Sequence, residues 1–267
     1  MTRRPPCVAG RFYPGDAASL KKAVDSLLVP DIVAAPAISI IAPHAGYIYS
    51  GAVAGAVYSA AKIPETVVLI GPNHTGLGEQ VSVMDKGAWA IPTGTMYINA
   101  ELSDLILEND LFTSDKAAHM MEHSLEVQLP FIRARNVKTT IVPITVMHAD
   151  SSLCAALGGA LADAIKKYGK PVLIIVSSDM NHYESEAKTR EKDRLALERV
   201  LKLDADGLLR VTRSKNITMC GVIPASIAIN ASRLLGAKEA TLVKYATSGE
   251  TSGDFQQVVG YAGVIIQ

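Results

Sequence analysis

Residues 38–46 read ISIIAPHAG and residues 67–76 read VVLIGPNHTG. Each runs a short, unbroken apolar stretch into a proline, then a histidine, then a glycine two residues on. A continuous apolar run of this length, bounded by Pro, Asn and Gly, is the pattern of a strand buried on both faces, as in a parallel sheet. The two histidines, His44 and His74, stand 30 positions apart, about the length of one strand–helix–strand unit. A third run, VLIIVSSDMNH over 172–182, also ends on a histidine, His182, with Asp179 three residues before it. Ligands of open α/β sheets bind at the carboxyl ends of the strands. Three strands bringing His44, His74 and the Asp179–His182 pair to one sheet edge therefore mark the candidate site.

Working outward, the second of these runs spans 66–71, and further apolar runs at 140–147, 240–245 and 258–266 read as strands. Segments of helical spacing lie between them. Residues 17–29 follow Asp16 as an N-cap, and 153–168 follow Asp150 and Ser151 and stop before Gly169. Residues 51–62, 100–109, 124–135, 184–203 and 222–235 are the other expected helices. This alternation predicts an α/β fold, one domain over 1–267, with a largely parallel sheet covered by helices on both faces. Residues 76–95 form a less regular excursion with hairpin character, carrying the only tryptophan, Trp89.

Composition narrows the function. In 267 residues, 26 Lys+Arg balance 26 Asp+Glu, which removes the general attraction to phosphate backbones and anionic lipid that a basic protein has. Aromatics are 5%, too few for a set of base-stacking platforms. No nucleic-acid or membrane partner is expected. The apolar stretch 32–43 is interrupted by Pro36 and falls short of the roughly 20 residues that span a bilayer. The start MTRRPPCVAG lacks the apolar stretch of a signal peptide. Three cysteines with no CxxC pair argue against a disulfide framework, and the expected location is the cytoplasm. A charged fraction of 19%, below the roughly 25% usual for soluble domains, favours a homo-oligomer.

Among the residues able to carry chemistry, His44 and His74 are the strongest pair. A lone strand-end histidine usually satisfies backbone groups, but two on neighbouring strand ends supply two legs of a mononuclear metal site. Cys220 precedes an apolar helix with Pro224 in its first turn. A thiol there is stabilised as thiolate by the helix amides; the plainer alternative is a small buried apolar residue. Cys154 reads as packing, and Cys7 lacks comparable context. His119 and His123 in HMMEH share a helical face if the segment is helical. The motif is not the zincin H-E-x-x-H, because Glu122 stands beside the second histidine. His123 falls at the start of a helix and is expected to point into the site, whereas His119 is as readily a surface residue. Asp179 and His182 read as an acid/base pair in which the carboxylate orients the imidazole, or as a turn-stabilising Asp beside a satisfied His. His148 is taken as structural. GPNHTGLG matches no phosphate-loop pattern, and TSGETSGD over 247–254 reads as a solvated connection between two late strands.

Taken together, AGRFYPGD, APHAGYIYSG, GPNH, EHSLEVQLPF, SSDMNHY and the dipeptide CG at 220–221 resemble the Memo (mediator of cell motility) family over essentially the whole chain. The resemblance implies a fold like that of class III extradiol ring-cleaving dioxygenases, with a metal pocket at one sheet edge. It implies ligation by His44, His74 and Cys220, with Asp179 and His182 beside the metal and His123 lining the pocket. In the dioxygenases the third ligand is a carboxylate, completing a 2-His-1-carboxylate triad for Fe(II); a thiolate in its place softens the site toward copper or zinc. The family is linked to copper- or iron-dependent redox chemistry, in animals to phosphopeptide binding and cell motility, and in microbes to a radical-SAM protein and a third partner. The expectation is a metal-dependent oxidoreductase with one Fe or Cu per chain, His182, Asp179 and His123 being catalytic. A zinc hydrolase is a variant of it. The alternative is a non-catalytic module that holds a metal, a peptide or a partner protein in the same pocket.

Overall fold

The computed structural model describes residues 3–267. Its strands are β1 Arg3–Arg4, β2 Ser39–Ala42, β3 Thr66–Pro72, β4 Val81–Val83, β5 Ala88–Ile91, β6 Gly94–Tyr97, β7 Thr113–Ser114, β8 Thr140–Val146, β9 Val172–Ser177, β10 His182–Glu184, β11 Ala240–Thr247 and β12 Val258–Ile266. The helices are α1 Ala17–Leu27, α2 Tyr47–Ala60, α3 Ala100–Leu107, α4 Ala117–Met120, α5 Leu129–Arg135, α6 Ser151–Tyr168, α7 Glu186–Leu201, α8 Ala205–Ser214, α9 Val222–Leu234 and α10 Gly249–Ser252.

Four central strands, β2, β9, β3 and β8 in spatial order, are parallel to their neighbours. Their apolar runs are continuous because each strand feeds two cores. Ile41, Val68, Ile70, Val142, Ile174 and Val176 pack with α3, α6, α7, α8 and α9. Alternate residues Ile40, Val67, Leu69, Ile141, Leu173 and Ile175 pack on the opposite face with α1, α2 and α5. Successive strand side chains point to opposite faces, so covering both faces requires an apolar residue at nearly every position. The flanks are antiparallel: β12 pairs with β2 and with β11, and β4 pairs with β8. The sheet is therefore mixed, its parallel part confined to the centre. Residues 248–257 join β11 to β12, fewer than the dozen or so that a crossover between parallel neighbours needs. The excursion holds the β5–β6 hairpin, which β1 extends to three strands.

Local chemistry explains where the elements depart from the expected bounds. β10 pairs with β12, so α7 begins at Glu186 instead of 184. Residues 126–128 make a 3-10 turn and α5 starts only at Leu129, with Pro130 in its first turn, where the missing amide is not needed. α8 was not expected: Gly207 in its first turn reads as a loop, yet the Asp204 side chain caps the Gly207 amide. Among the described residues no helix is long and apolar enough to cross a membrane.

Gly55 sets how closely α1 and α2 approach. A Cβ there would stand 2.0 Å from the backbone oxygen of Leu27, so the helices would have to separate. Gly55→Ala is expected to cost about 1–3 kcal/mol through overpacking. An unchanged urea midpoint would show that the contact yields freely.

Candidate metal centre

β2, β3 and β9 end at one edge of the sheet. The turn after β2 carries His44, the loop after β3 carries His74, and the segment after α4 carries His123. The three rings converge. Centroid separations are 5.3 Å for His44–His74, 5.4 Å for His44–His123 and 4.8 Å for His74–His123. One donor atom from each lies within 4.8 Å of the others. They stand at the floor of a cleft of about 560 Å³, walled by Phe12, Tyr49, Tyr183 and Tyr261 and, on the β11–β12 side, by Ser248, Asp254 and Gln257. The 247–254 connection is thus a wall of the site as well as a link.

Each ring is held from behind. Glu122 is fully buried, and its carboxylate accepts the His74 amide at 2.5 Å, His74 Nδ1 at 3.0 Å and the Ser124 amide at 2.8 Å. Burial alone would raise this carboxyl, but those hydrogen bonds, led by His74, hold it down at about 2. It is therefore an anion that only accepts, which places the His74 proton on Nδ1 and leaves Nε2 to face the cleft. His123 Nδ1 lies 3.4 Å from the same carboxylate, and Phe12 packs edge-on to its ring at 4.9 Å. His44 is buried; its Nδ1 lies 2.9 Å from Ser177 Oγ and its backbone amide donates to Asp179 Oδ1 at 2.8 Å. Burial, outweighing the Asp179 carboxylate, pushes His44 down to about 4; burial likewise lowers His123. His44 is a neutral imidazole at pH 7, the form that binds a metal.

Cys220 sits beside His44, its Sγ 3.3 Å from Nε2 and accepting the Asp179 amide at 3.2 Å. The thiolate expected from its place before α9 is not what the fold favours for the free side chain. Burial first, then the Asp179 carboxylate, push the thiol well up, so the free side chain keeps its proton.

A family model described as Memo-like protein matches residues 4–265. The chain belongs to the Memo-like family. The MEMO1 family protein of Aquifex aeolicus is 42% identical to this Memo-like chain over 268 residues, 99% of each. That of Desulfurococcus amylolyticus is 42% identical over 282 residues, again 99% of each. Among solved structures, an uncharacterized protein of Escherichia coli K12 superposes with a TM-score of 0.55 at 12% identity, covering 85% of this chain and 98% of that one. At that identity the likeness is one of fold alone.

In this Memo-like protein, Asp179 and His182 both line the cleft, but the carboxylate does not orient the imidazole. Asp179 Oδ1 takes the His44 and Ala45 amides at 2.8 and 3.3 Å, whereas His182 Nδ1 lies 2.9 Å from the Thr218 carbonyl oxygen. The chain turns after β9 and β10 begins at His182, so the two side chains leave in different directions. His119 and His123 do not share a helical face either. α4 ends at Met120, and His119 is buried edge-on to Trp89 at 5.9 Å. The sequence reading gave no role to Glu122, Ser177 or Gln128. Glu122 has a visible signal, a carboxylate next to a candidate histidine; the other two read as ordinary polar residues within SSDMNH and SLEVQL.

Proposed function

We propose that the cleft is the mononuclear metal centre of a redox enzyme. His44, His74 and His123 would hold one divalent transition ion, iron or copper, with Cys220 as a further donor. The convergence of three imidazoles, two of them with Nδ1 hydrogen-bonded to an oxygen behind the ring, carries this reading. Such oxygens orient ligating histidines and raise their basicity. The donor set fits. The His44 Nε2 to Cys220 Sγ distance of 3.3 Å is of the order expected of two donors sharing one ion with bonds of about 2.0 and 2.3 Å. A bound iron or copper would supply electron exchange with an organic substrate or O2, and the thiol would soften the site toward copper.

The chain's own residues prepare the cleft for that chemistry. Asp179 ties down the amides of His44 and Ala45. His182, its Nδ1 proton on the Thr218 carbonyl, presents Nε2 to take up or release a proton. Phe12, Tyr49 and Tyr261 give the cleft an aromatic wall beside the rings. Metal content of anaerobically purified protein, measured by mass spectrometry beside His74→Ala, tests the reading. Near one iron or copper per chain, lost in the variant, is the expected result. Zinc at that stoichiometry would replace redox chemistry by hydrolysis, since three protein ligands plus water is the catalytic zinc pattern. No metal even after reconstitution would overturn the metal reading in favour of a peptide- or partner-binding pocket.

A further inference from the structure

Behind His44 the Ser177 hydroxyl belongs to a fully buried chain of polar side chains that continues through Gln128 to Tyr58. Their hydrogen bonds can be followed proton by proton. Gln128 Nε2 lies 2.9 Å from the Pro43 carbonyl oxygen. A carbonyl only accepts, so the amide nitrogen must face it, which fixes the orientation of the whole side-chain amide. The other N–H then points at Ser177 Oγ at 2.8 Å, and Oε1 receives the Tyr58 hydroxyl at 2.9 Å. The single Ser177 hydroxyl proton goes to the Ser124 carbonyl at 2.7 Å. Turning it to His44 instead would strand that buried carbonyl, a cost the fold avoids. Ser177 therefore has only a lone pair left for His44 Nδ1, 2.9 Å away. His44 must carry its proton on Nδ1, and Nε2 must be the bare nitrogen.

We propose that Ser177, held in its accepting state by Gln128 and Tyr58, is the positioning residue that sets the His44 tautomer and so makes His44 Nε2 available as a ligand. This rests on the metal-centre reading for its purpose, though not for its test. Glu122 does the same for His74 with a carboxylate. At His44 the device is neutral, so it adds no further negative charge beside buried Asp179. Removing the Ser177 hydroxyl would do more than open a small cavity. It would take away the hydrogen-bond acceptor that the structure places on Nδ1, so the Nδ1-protonated form loses its advantage over the tautomer with the proton on Nε2.

The experiment is long-range proton–nitrogen NMR of the histidine rings in the metal-free, full-length protein, followed by Zn2+ titration against a competing chelator. In wild type, His44 is expected to show a protonated Nδ1 and a bare Nε2. In Ser177→Ala the Nε2-protonated form should appear and Zn2+ affinity should fall about 10–100-fold, the range for loss of a ligand-orienting partner. Ser177→Thr, which keeps the hydroxyl, should restore both readouts. A protonated Nε2 on His44 in the wild-type protein would overturn the proposal without any variant. So would Ser177→Ala with both tautomer and affinity unchanged. If wild type binds no Zn2+ while the tautomer is as expected, the metal-centre reading fails and the tautomer assignment stands.

Discussion

Replacing Arg4 with methionine is expected to remove about 3–5 kcal/mol of stability, the usual cost of breaking a buried ion pair from one side. Arg4 and Glu126 are both 0% exposed, with Nη1 and Oε2 2.6 Å apart. The guanidinium also donates to the carbonyls of His119 and Glu122 at 2.6 and 2.7 Å and lies 4.1 Å over the Trp89 ring. Glu126 accepts in addition from the Cys7 and Val8 amides and the Tyr13 hydroxyl. Methionine fills much of the volume but leaves that carboxylate buried without its counter-charge. Burial by itself raises the Glu126 carboxyl, and Arg4 leads the interactions that bring it below its ordinary value. A depressed carboxyl contributes stability above its unfolded pKa of roughly 4.3 and loses it as pH falls through the folded value. Without Arg4 the carboxyl moves upward, so the variant recovers stability on acidification while wild type loses it. The gap between the two, from urea unfolding, should therefore be narrower at pH 4.5 than at pH 8. A gap below about 1 kcal/mol, or one that widens toward acid, would sink this account.

Arg4 also ties the start of the chain to the histidine cluster. Its hydrogen bonds to the carbonyls of His119 and Glu122 cross 115 and 118 positions of sequence and hold the segment that delivers Glu122 and His123. Nothing local announces this: RRPP near a terminus has the look of a solvated basic tail. His44 and His74 could be read because each is tied to its strand by an apolar run, a proline and a glycine within ten residues. The two-faced burial of the central strands was legible for the same reason. The antiparallel flanks were not, because the direction of β12 and β4 depends on which neighbour they find. The expected Asp179–His182 pair failed on a backbone turn, which spacing alone does not reveal. Gln128 and Ser177 gain their meaning only from the Pro43 and Ser124 carbonyls, groups that every residue possesses.

Glu122→Ala should weaken metal binding by about 100-fold, the upper end of the effect of losing a ligand-orienting partner, because one carboxylate serves several donors at once. The His74 amide, His74 Nδ1 and the Ser124 amide all lose their acceptor, and His123 Nδ1 loses the anion 3.4 Å away. Two of the three converging rings are then free to turn or to move their proton to Nε2. Glu122→Gln separates shape from charge. Its amide oxygen can still accept from His74 Nδ1 and Ser124, but its NH2 group would oppose the His74 amide, donor against donor. It should fall between wild type and the alanine variant. The order wild type, Gln, Ala in Zn2+ affinity, with far-UV circular dichroism unchanged, is the expected result. An alanine variant that binds as tightly as wild type would mean that Glu122 only braces the loop, and that the rings converge without its help.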